Sequence, residues 1–410
     1  MSSIRVLNFG PIKRGNIEND GWVDISKVTV FIGNQGSGKS TLAKLISTFA
    51  WMEKALVRGD FKIRELERKN KLKSVFLPYH RIQNYLREDT IIEYRGDAYN
   101  IIYRHDFLHI EELLKQQYSL PQIMYVPAER NFLSYLKKAS EIKLSSKALQ
   151  EFLGEFENSK KDIKNAVPLP INNTQLEYHK LTDTLYVKGS DYRISLGEAS
   201  SGYQSLAPLY LVSNYLANSV KGSAVESQEL MSGNEIERFR KGISEILQND
   251  SLTPEQRRIA ISELSRKFNK SAFINIVEEP EQNLFPISQG NILYALLKAN
   301  SKNRGNKLVI TTHSPYIINY ISLAIQAGHL KDKIQDSNDV LSKIDQVVPI
   351  DAVLDKNDVL IYQMDDVSGT ISRLLDYEGI PSDDNYLNKN LRAGNELFDK
   401  LLEIEEEYNA

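Results

Sequence analysis

Gly33-x-x-x-x-Gly38-Lys39-Ser40 is the stretch of this chain whose spacing most directly implies chemistry. Gly33, Gly36 and Gly38 let successive backbone N–H groups turn inward around a polyphosphate, with Asn34 and Ser37 between them. Lys39 brings a full charge to the β- and γ-phosphates. The Ser40 hydroxyl is placed to ligate Mg²⁺, and Thr41 continues into the following helix. A glycine-rich turn before an ordinary helix is the plainer alternative, but both flanks argue against it. Val28–Ile32 reads as a buried strand, and Leu42, Leu45, Ile46 and Phe49 recur at helical spacing. The loop therefore lies between a strand and the N-terminus of a helix, whose partial positive charge also favours an anion.

Two further groups bear on what such a site does with its nucleotide. Phe273–Val277 reads as a strand that delivers Glu278 and Glu279 to its C-terminal end, where open α/β sheets hold their ligands. One carboxylate there can hold Mg²⁺ through water, and the other can orient or deprotonate an attacking water. Lys307–Ile310 reads as a second strand, ending in Thr311-Thr312-His313-Ser314-Pro315, so His313 is a candidate for a γ-phosphate contact. A solvated acidic loop and a structural histidine are the plainer alternatives, and both strands ending at the same place count against them. Another loop, Leu196–Gly202, opens an apolar helix at Tyr203–Leu216, giving Ser200 and Gly202 a second anion-binding helix terminus.

The elements that must carry these groups follow from the pattern along the chain. Ser3–Phe9 and Gly21–Ile25 read as strands, and Ile91–Tyr94 with Tyr99–Tyr103 as a hairpin around Arg95-Gly96-Asp97. Glu53 to about Lys73 reads as a charged helix whose KIRELERKNKLK run is a solvated face in the plainer view and a nucleic-acid or partner contact in the other. Ile123–Val126 is a strand ending in Pro127-Ala128-Glu129-Arg130-Asn131. Leu181–Val187 and Tyr192–Ser195 read as an antiparallel pair. Helical insertions are expected at about 132–164 and 217–270, the second with a helix start at Thr253-Pro254-Glu255-Gln256. Asn291–Ala299 reads as a helix. Beyond about residue 318 a C-terminal α/β extension, 319–410, carries a strand near Val359–Gln363 and an amphipathic helix with Leu397, Phe398, Leu401 and Leu402. Asp365-Asp366 after that strand reads as a turn.

Composition sets the outer limits. The 410 residues suffice for one elaborated domain or two. Hydrophobic content of 41% with 26% charged residues is ordinary for a soluble globular chain, and 51 basic against 54 acidic residues give a net charge of −3, which does not favour a whole-surface polyanion binder. No cysteine is present, which excludes disulfides, thiol chemistry and cysteine metal sites. The N-terminus lacks the apolar core of a signal peptide and no apolar run is long enough to span a bilayer, so a cytoplasmic protein without a membrane partner is expected.

In order and wording these motifs resemble the ABC-type ATPases outside transporters, the SMC, RecF and OLD-like group, over about Ile4 to Ile318. Gly33–Thr41 resembles the Walker A loop, and Ala199–Tyr203 a variant of the LSGGQ signature. Glu278-Glu279 resembles Walker B with its catalytic glutamate, Glu281–Leu284 the D-loop, and His313 the switch histidine. EEPEQNLFP and TTHSPYII resemble the OLD-like branch most closely. The departures are Glu278 where aspartate is usual, and Ala199, Ser201 and Tyr203 where Leu, Gly and Gln are commoner. Gln83 and Gln122 are candidates for the family's Mg²⁺-binding glutamine, although the loop Pro127–Arg130 occupies the likelier slot. A long coiled coil and the acidic nuclease motifs of OLD proteins are absent from these 410 residues.

The resemblance implies an α/β fold: an ABC-ATPase head with a mixed sheet, antiparallel in its N-terminal part and parallel around the phosphate loop. It implies ATP and Mg²⁺ as cofactors, with Asn34, Gly36, Ser37, Gly38, Lys39, Ser40 and Thr41 on the nucleotide, Ser40 and Glu278 on the metal, and Lys39, Glu279 and His313 in catalysis. Ser200 and Gly202 would cap the nucleotide of another subunit, so a homodimer or an assembly of dimers is expected. Three roles fit that frame: control of a separately encoded effector, such as a nuclease, in anti-phage systems of the Septu and PARIS type; a RecF/SMC-like DNA-repair ATPase; and a nucleotide-gated scaffold with slow hydrolysis.

Overall fold

The computed structural model describes residues 2–113, 118–136, 146–220, 233–249, 252–266, 270–334 and 338–409. The first strands are β1 (Ser2–Phe9), β2 (Gly15–Asn16), β3 (Val23–Ile25) and β4 (Val28–Gly33). All six residues of β4 are buried, as expected for an apolar run covered on both faces. After the phosphate loop comes α1 (Lys39–Arg58), which stops at Gly59, whose φ of +76° suits glycine and closes the helix end. The charged helix expected over Glu53–Lys73 is therefore broken. Only the single turn α2 (Ile63–Leu66), a five-residue π turn at Leu72–Phe76 and 3-10 turns follow, and Glu53 itself is buried, accepting hydrogen bonds from Ala98 N at 2.6 Å and the Tyr94 hydroxyl at 3.0 Å.

The hairpin is present as β5 (Leu86–Arg95) and β6 (Tyr99–Arg104), and β7 (Phe107–Glu112), absent from the sequence reading, extends it. These strands form an antiparallel sheet in the order β3-β1-β5-β6-β7. Next are β8 (Pro121–Val126) and α3 (Lys147–Asp162); part of the expected 132–164 insertion lies outside the described residues. A small antiparallel sheet follows, made of β9 (Val167–Pro168), β10 (Gln175–His179), β11 (Thr184–Lys188) and β12 (Arg193–Ser195). Then α4 (Ser201–Ser219) leads to α5 (Gly233–Leu247) and α6 (Pro254–Arg266). The capping box read from the sequence is formed: Thr253 N donates to Gln256 Oε1 at 2.9 Å, and Gln256 N to Thr253 Oγ1 at 3.2 Å.

The remaining elements are β13 (Ala272–Glu278), α7 (Pro286–Ser301), β14 (Lys307–Thr312), α8 (Pro315–Lys333), α9 (Asn338–Val347), β15 (Val359–Met364), β16 (Thr370–Arg373), the pair β17 (Asp376–Tyr377) and β18 (Ile380–Pro381), and α10 (Tyr386–Asn409). The central sheet runs β2-β16-β15-β4-β14-β13-β8, and β15, β4, β14, β13 and β8 are mutually parallel. The chain is thus a mixed α/β fold with antiparallel and parallel sheets. The stretch 319–410 is woven into it, since β15 pairs directly with β4 from Val359–Val28 to Met364–Gly33.

Period-two alternation along the parallel strands divides the core between two faces. Val28, Val30 and Ile32 pack on one face with residues of α3, α4, α7 and α8. Phe31, Ile123, Tyr125, Ile276 and Val309 pack on the other, with α1 and the antiparallel sheet. No helix among the described residues is long and apolar enough to cross a membrane.

Candidate functional site

The five parallel strands end at one edge of the sheet, and each contributes to the site there. From β4 comes the phosphate loop, where Gly33 has φ +149° and a Cβ would run into the Met364 carbonyl oxygen of β15. Gly38, with φ +100°, caps α1 without a side-chain hydrogen bond, leaving the first-turn N–H groups for an anion. Lys39 Nζ donates to Gly33 O at 2.8 Å, Asn34 O at 2.7 Å and Ser37 Oγ at 3.3 Å. Burial lowers its pKa to about 8, against the opposing pull of the Glu279, Glu281 and Asp366 carboxylates. These three acids therefore lie within reach of the lysine's charge. Ser40 is half-buried and Thr41 buried in the first turn of α1.

β13 ends in the two glutamates, and they differ. Glu278 is buried; its Oε2 accepts from Ala128 N at 3.2 Å, while Oε1 has no partner. Glu279 leaves the strand with φ +44°, unusual for a residue with a side chain, and this backbone is held from two sides. Its N–H donates to Thr311 O at 2.8 Å, and its carbonyl accepts from Arg130 Nη2 at 2.6 Å. The turn aims Glu279 Oε1 to within 3.4 Å of His313 Nε2, and both side chains are about one-third exposed. Hydrogen bonding to His313 lowers the Glu279 pKa, helped by the Arg130 and Lys39 charges and opposed by partial burial. Glu281 is held behind this pair, accepting from Thr312 Oγ1 at 2.7 Å and His313 N at 2.8 Å, with burial pushing its carboxyl upward.

Arg130 ties the loops together, a role its place in the post-β8 cluster only hinted at. The side chain is fully buried and donates to carbonyls of Pro127, Ser205, Glu278 and Glu279 at 3.3, 3.1, 2.7 and 2.6 Å. An arginine with five fixed donors suits four converging carbonyls as no other side chain does. Through Ser205 it also grips the start of α4. Gly202 packs there against Asn283, where a Cβ would lie 2.9 Å from the carbonyl oxygen, and Asn283 Nδ2 donates to Ser205 Oγ at 3.1 Å.

Ser200 and Gly202 stand apart from the other candidates. Ser200 is exposed at the N-terminus of α4, its side chain makes no cap there, and among the described residues neither one hydrogen-bonds to the phosphate loop. Gln122 is at the opposite end of β8, paired with Phe273, and so is removed from the site. The reading of Asp365-Asp366 as a turn holds, but one of the two also reaches the site. Asp365 Oδ1 accepts from Ser368 N and Oγ, both at 2.6 Å, but Asp366 Oδ1 accepts from Asn34 Nδ2 of the phosphate loop at 3.3 Å. Asn390 of α10 reaches the same Asn34, Nδ2 to Oδ1 at 3.2 Å. The C-terminal stretch thus touches the phosphate loop through these two side chains as well as through the Met364–Gly33 pairing, which local pattern could not reveal.

The residues fit Mg²⁺ in one way. Among the described residues no group of three or more His, Asp or Glu is arranged to hold a metal by itself. The unpartnered Glu278 oxygen and the Ser40 hydroxyl suit an ion that takes its other ligands from phosphate and water.

No family model matches this chain, and no curated protein matches it. Solved structures similar to it include the SMC head domain from Thermotoga maritima, at 10% identity over 92% of this chain and 98% of that one, with a TM-score of 0.38. The Smc head domain with an extended coiled coil, bound to the C-terminal domain of ScpA and derived from Pyrococcus furiosus, gives 11% identity over 97% and 100%, with a TM-score of 0.36. A nucleotide-free ATP-binding cassette from an ABC transporter gives 15% over 93% and 94%, with a TM-score of 0.29. Likeness at this level carries no argument; the strand order and the site geometry do.

Proposed function

We propose that this chain is an ATP-binding and ATP-hydrolysing switch ATPase. The observation that carries the reading is the Glu279–His313 pair, 3.4 Å apart at the ends of two adjacent parallel strands and within the field of Lys39. ATP supplies a triphosphate whose terminal anhydride can be cleaved by water. Lys39 exchanges its carbonyl partners for phosphate oxygens, and the free N–H groups at the start of α1 hold the same anion. Glu279, kept ionised by His313, orients a water and takes its proton. Ser40 and Glu278 hold Mg²⁺, which neutralises phosphate charge when bound.

Ser200 is exposed at a helix terminus and, among the described residues, neither it nor Gly202 bonds to its own phosphate loop, which supports a role against the nucleotide of a second copy. ATP then joins two subunits and its hydrolysis releases them. The close resemblance of EEPEQNLFP and TTHSPYII to the OLD-like branch supports control of a separately encoded effector, such as a nuclease, in anti-phage defence, within the cytoplasm. The exposed apolar side chains Leu397, Phe398 and Leu401 of α10 offer a surface for such a partner.

Nucleotide binding and turnover test the core of this proposal. Wild-type protein should bind ATP with Mg²⁺ and release phosphate, Lys39→Ala should lose binding, and Glu279→Gln should bind without turnover. Absence of ATP binding by the folded wild type, or unchanged turnover in Glu279→Gln, overturns it.

A further inference from the structure

Away from the phosphate loop, a cavity of about 190 Å³ lies on the α1 face of the central sheet. Trp51 of α1 packs there with Phe61 and Phe76 from the connection to β5, the three ring centroids lying 6.0–6.3 Å from one another. His80 lines the same cavity, edge-on to Tyr79 at 4.7 Å and to Tyr125 of β8 at 4.6 Å. Three polar atoms here break the rule that buried polar groups are paired. Nδ1 and Nε2 of His80, only 4% exposed, have no hydrogen-bond partner, and the Tyr125 hydroxyl, though close enough to Glu278 to feel its carboxylate, makes no well-formed hydrogen bond. A histidine kept merely for packing normally bonds through at least one nitrogen.

Burial, with Lys44 nearby, pushes His80 down to about 3, so its ring is neutral and offers one donor and one acceptor. A charged guest is opposed from both sides. The Lys44 ammonium disfavours a cation beside His80, and the Glu151 carboxylate, already accepting a hydrogen bond from the Tyr79 hydroxyl, disfavours an anion. Flat aromatic walls favour a flat aromatic guest. An apolar cavity of roughly 150 Å³ holds benzene, so this volume suits a one- or two-ring molecule.

We propose that the cavity is a binding site for a small, flat, uncharged heteroaromatic molecule that presents a hydrogen-bond donor and an acceptor to His80 and Tyr125. Tyr125 also neighbours Glu278 of the nucleotide site, but the test reads binding in the cavity and not nucleotide binding or turnover, so the proposal stands or falls separately from the ATPase reading.

The chain has only two tryptophans, Trp22 and Trp51, so Trp22→Phe leaves the cavity's own ring as the sole reporter. That variant is titrated with benzimidazole, which carries a donor and an acceptor, and with indene, which has the same shape and neither. Benzimidazole should change Trp51 emission saturably and bind roughly tenfold tighter than indene, the worth of one or two net hydrogen bonds. His80→Phe should erase the preference, and Thr48→Phe, which fills the cavity, should remove both responses. Circular dichroism and melting confirm that each variant is folded. Equilibrium dialysis of the unmodified chain repeats the benzimidazole–indene comparison without any substitution, and Tyr125→Phe replaces His80→Phe if the latter does not fold. No saturable binding of benzimidazole, equal binding of the two probes, or binding that survives Thr48→Phe overturns the proposal.

Discussion

Glu279 and His313 meet at 3.4 Å because a positive-φ turn at the end of β13 swings the carboxylate toward the end of β14. The contact is more than proximity, since the hydrogen bond is the largest influence lowering the Glu279 pKa. A general base works in its ionised form, so turnover should fall as pH drops through that pKa. Removing the imidazole in His313→Ala raises the Glu279 pKa, and the acidic limb of the kcat profile should move to higher pH. Glu279→Gln should lower kcat by about 100-fold or more, within the usual range for losing a general base. Steady-state phosphate release across pH checks both effects.

Lys39 leads to a second expectation with a different sign. Burial lowers its pKa to about 8 in the nucleotide-free chain, and a bound polyphosphate favours the ammonium form. Above pH 8, ATP binding should therefore take up a proton and weaken as pH rises. Titration calorimetry in buffers of different ionisation enthalpy measures that uptake, which should fall toward zero well below pH 8, where Lys39 is already protonated before ATP binds.

The glycines separate folding from binding. Gly33→Ala drives a Cβ into the β15 backbone at a φ of +149°, so it should lower the melting temperature markedly. Gly36, at φ +81°, has no neighbour within 4 Å of its would-be Cβ, and Gly36→Ala should cost only the left-handed strain of about 1–2 kcal/mol. It should nevertheless weaken ATP binding, because its methyl enters the loop. Thermal melts and binding isotherms of the two variants, run side by side, resolve the roles.

Arg130 should matter to both stability and turnover although it touches no candidate ligand. Arg130→Met leaves four buried carbonyls without their donor, at an expected loss of about 3 kcal/mol. Arg130→Lys retains the charge without the planar fork, and should restore only part of the stability while leaving Glu279 misaligned. Denaturant unfolding, paired with kcat at saturating ATP, checks this.

Most of what the sequence revealed was local. Val28–Ile32, Phe273–Val277 and Lys307–Ile310 are legible because strands buried on both faces need unbroken apolar runs, and each carries its site residues immediately after its last turn of pleat. Thr253 and Gln256 form their capping box because that contact spans a single helical turn. Long-range placement was not legible. Asp366 reads only as a turn residue until β15 is seen pairing with β4, more than three hundred residues earlier in the chain, which brings its carboxylate to Asn34. Arg130 is one more charged residue after a strand until four carbonyls from three separate segments are found around it. Gly59, like the capping box, is a local signal, a glycine at a left-handed helix end inside the run read as one charged helix.

In the proposed cycle the nucleotide joins copies of this chain through the α4 terminus at Ser200 and Gly202. Sedimentation velocity of Glu279→Gln, with and without ATP and Mg²⁺, tests it most directly. A monomer that becomes a dimer or larger on ATP addition, and reverts when Ser200 is replaced by a bulky residue, is the expected result. A variant that binds ATP stoichiometrically yet still sediments as a monomer contradicts it.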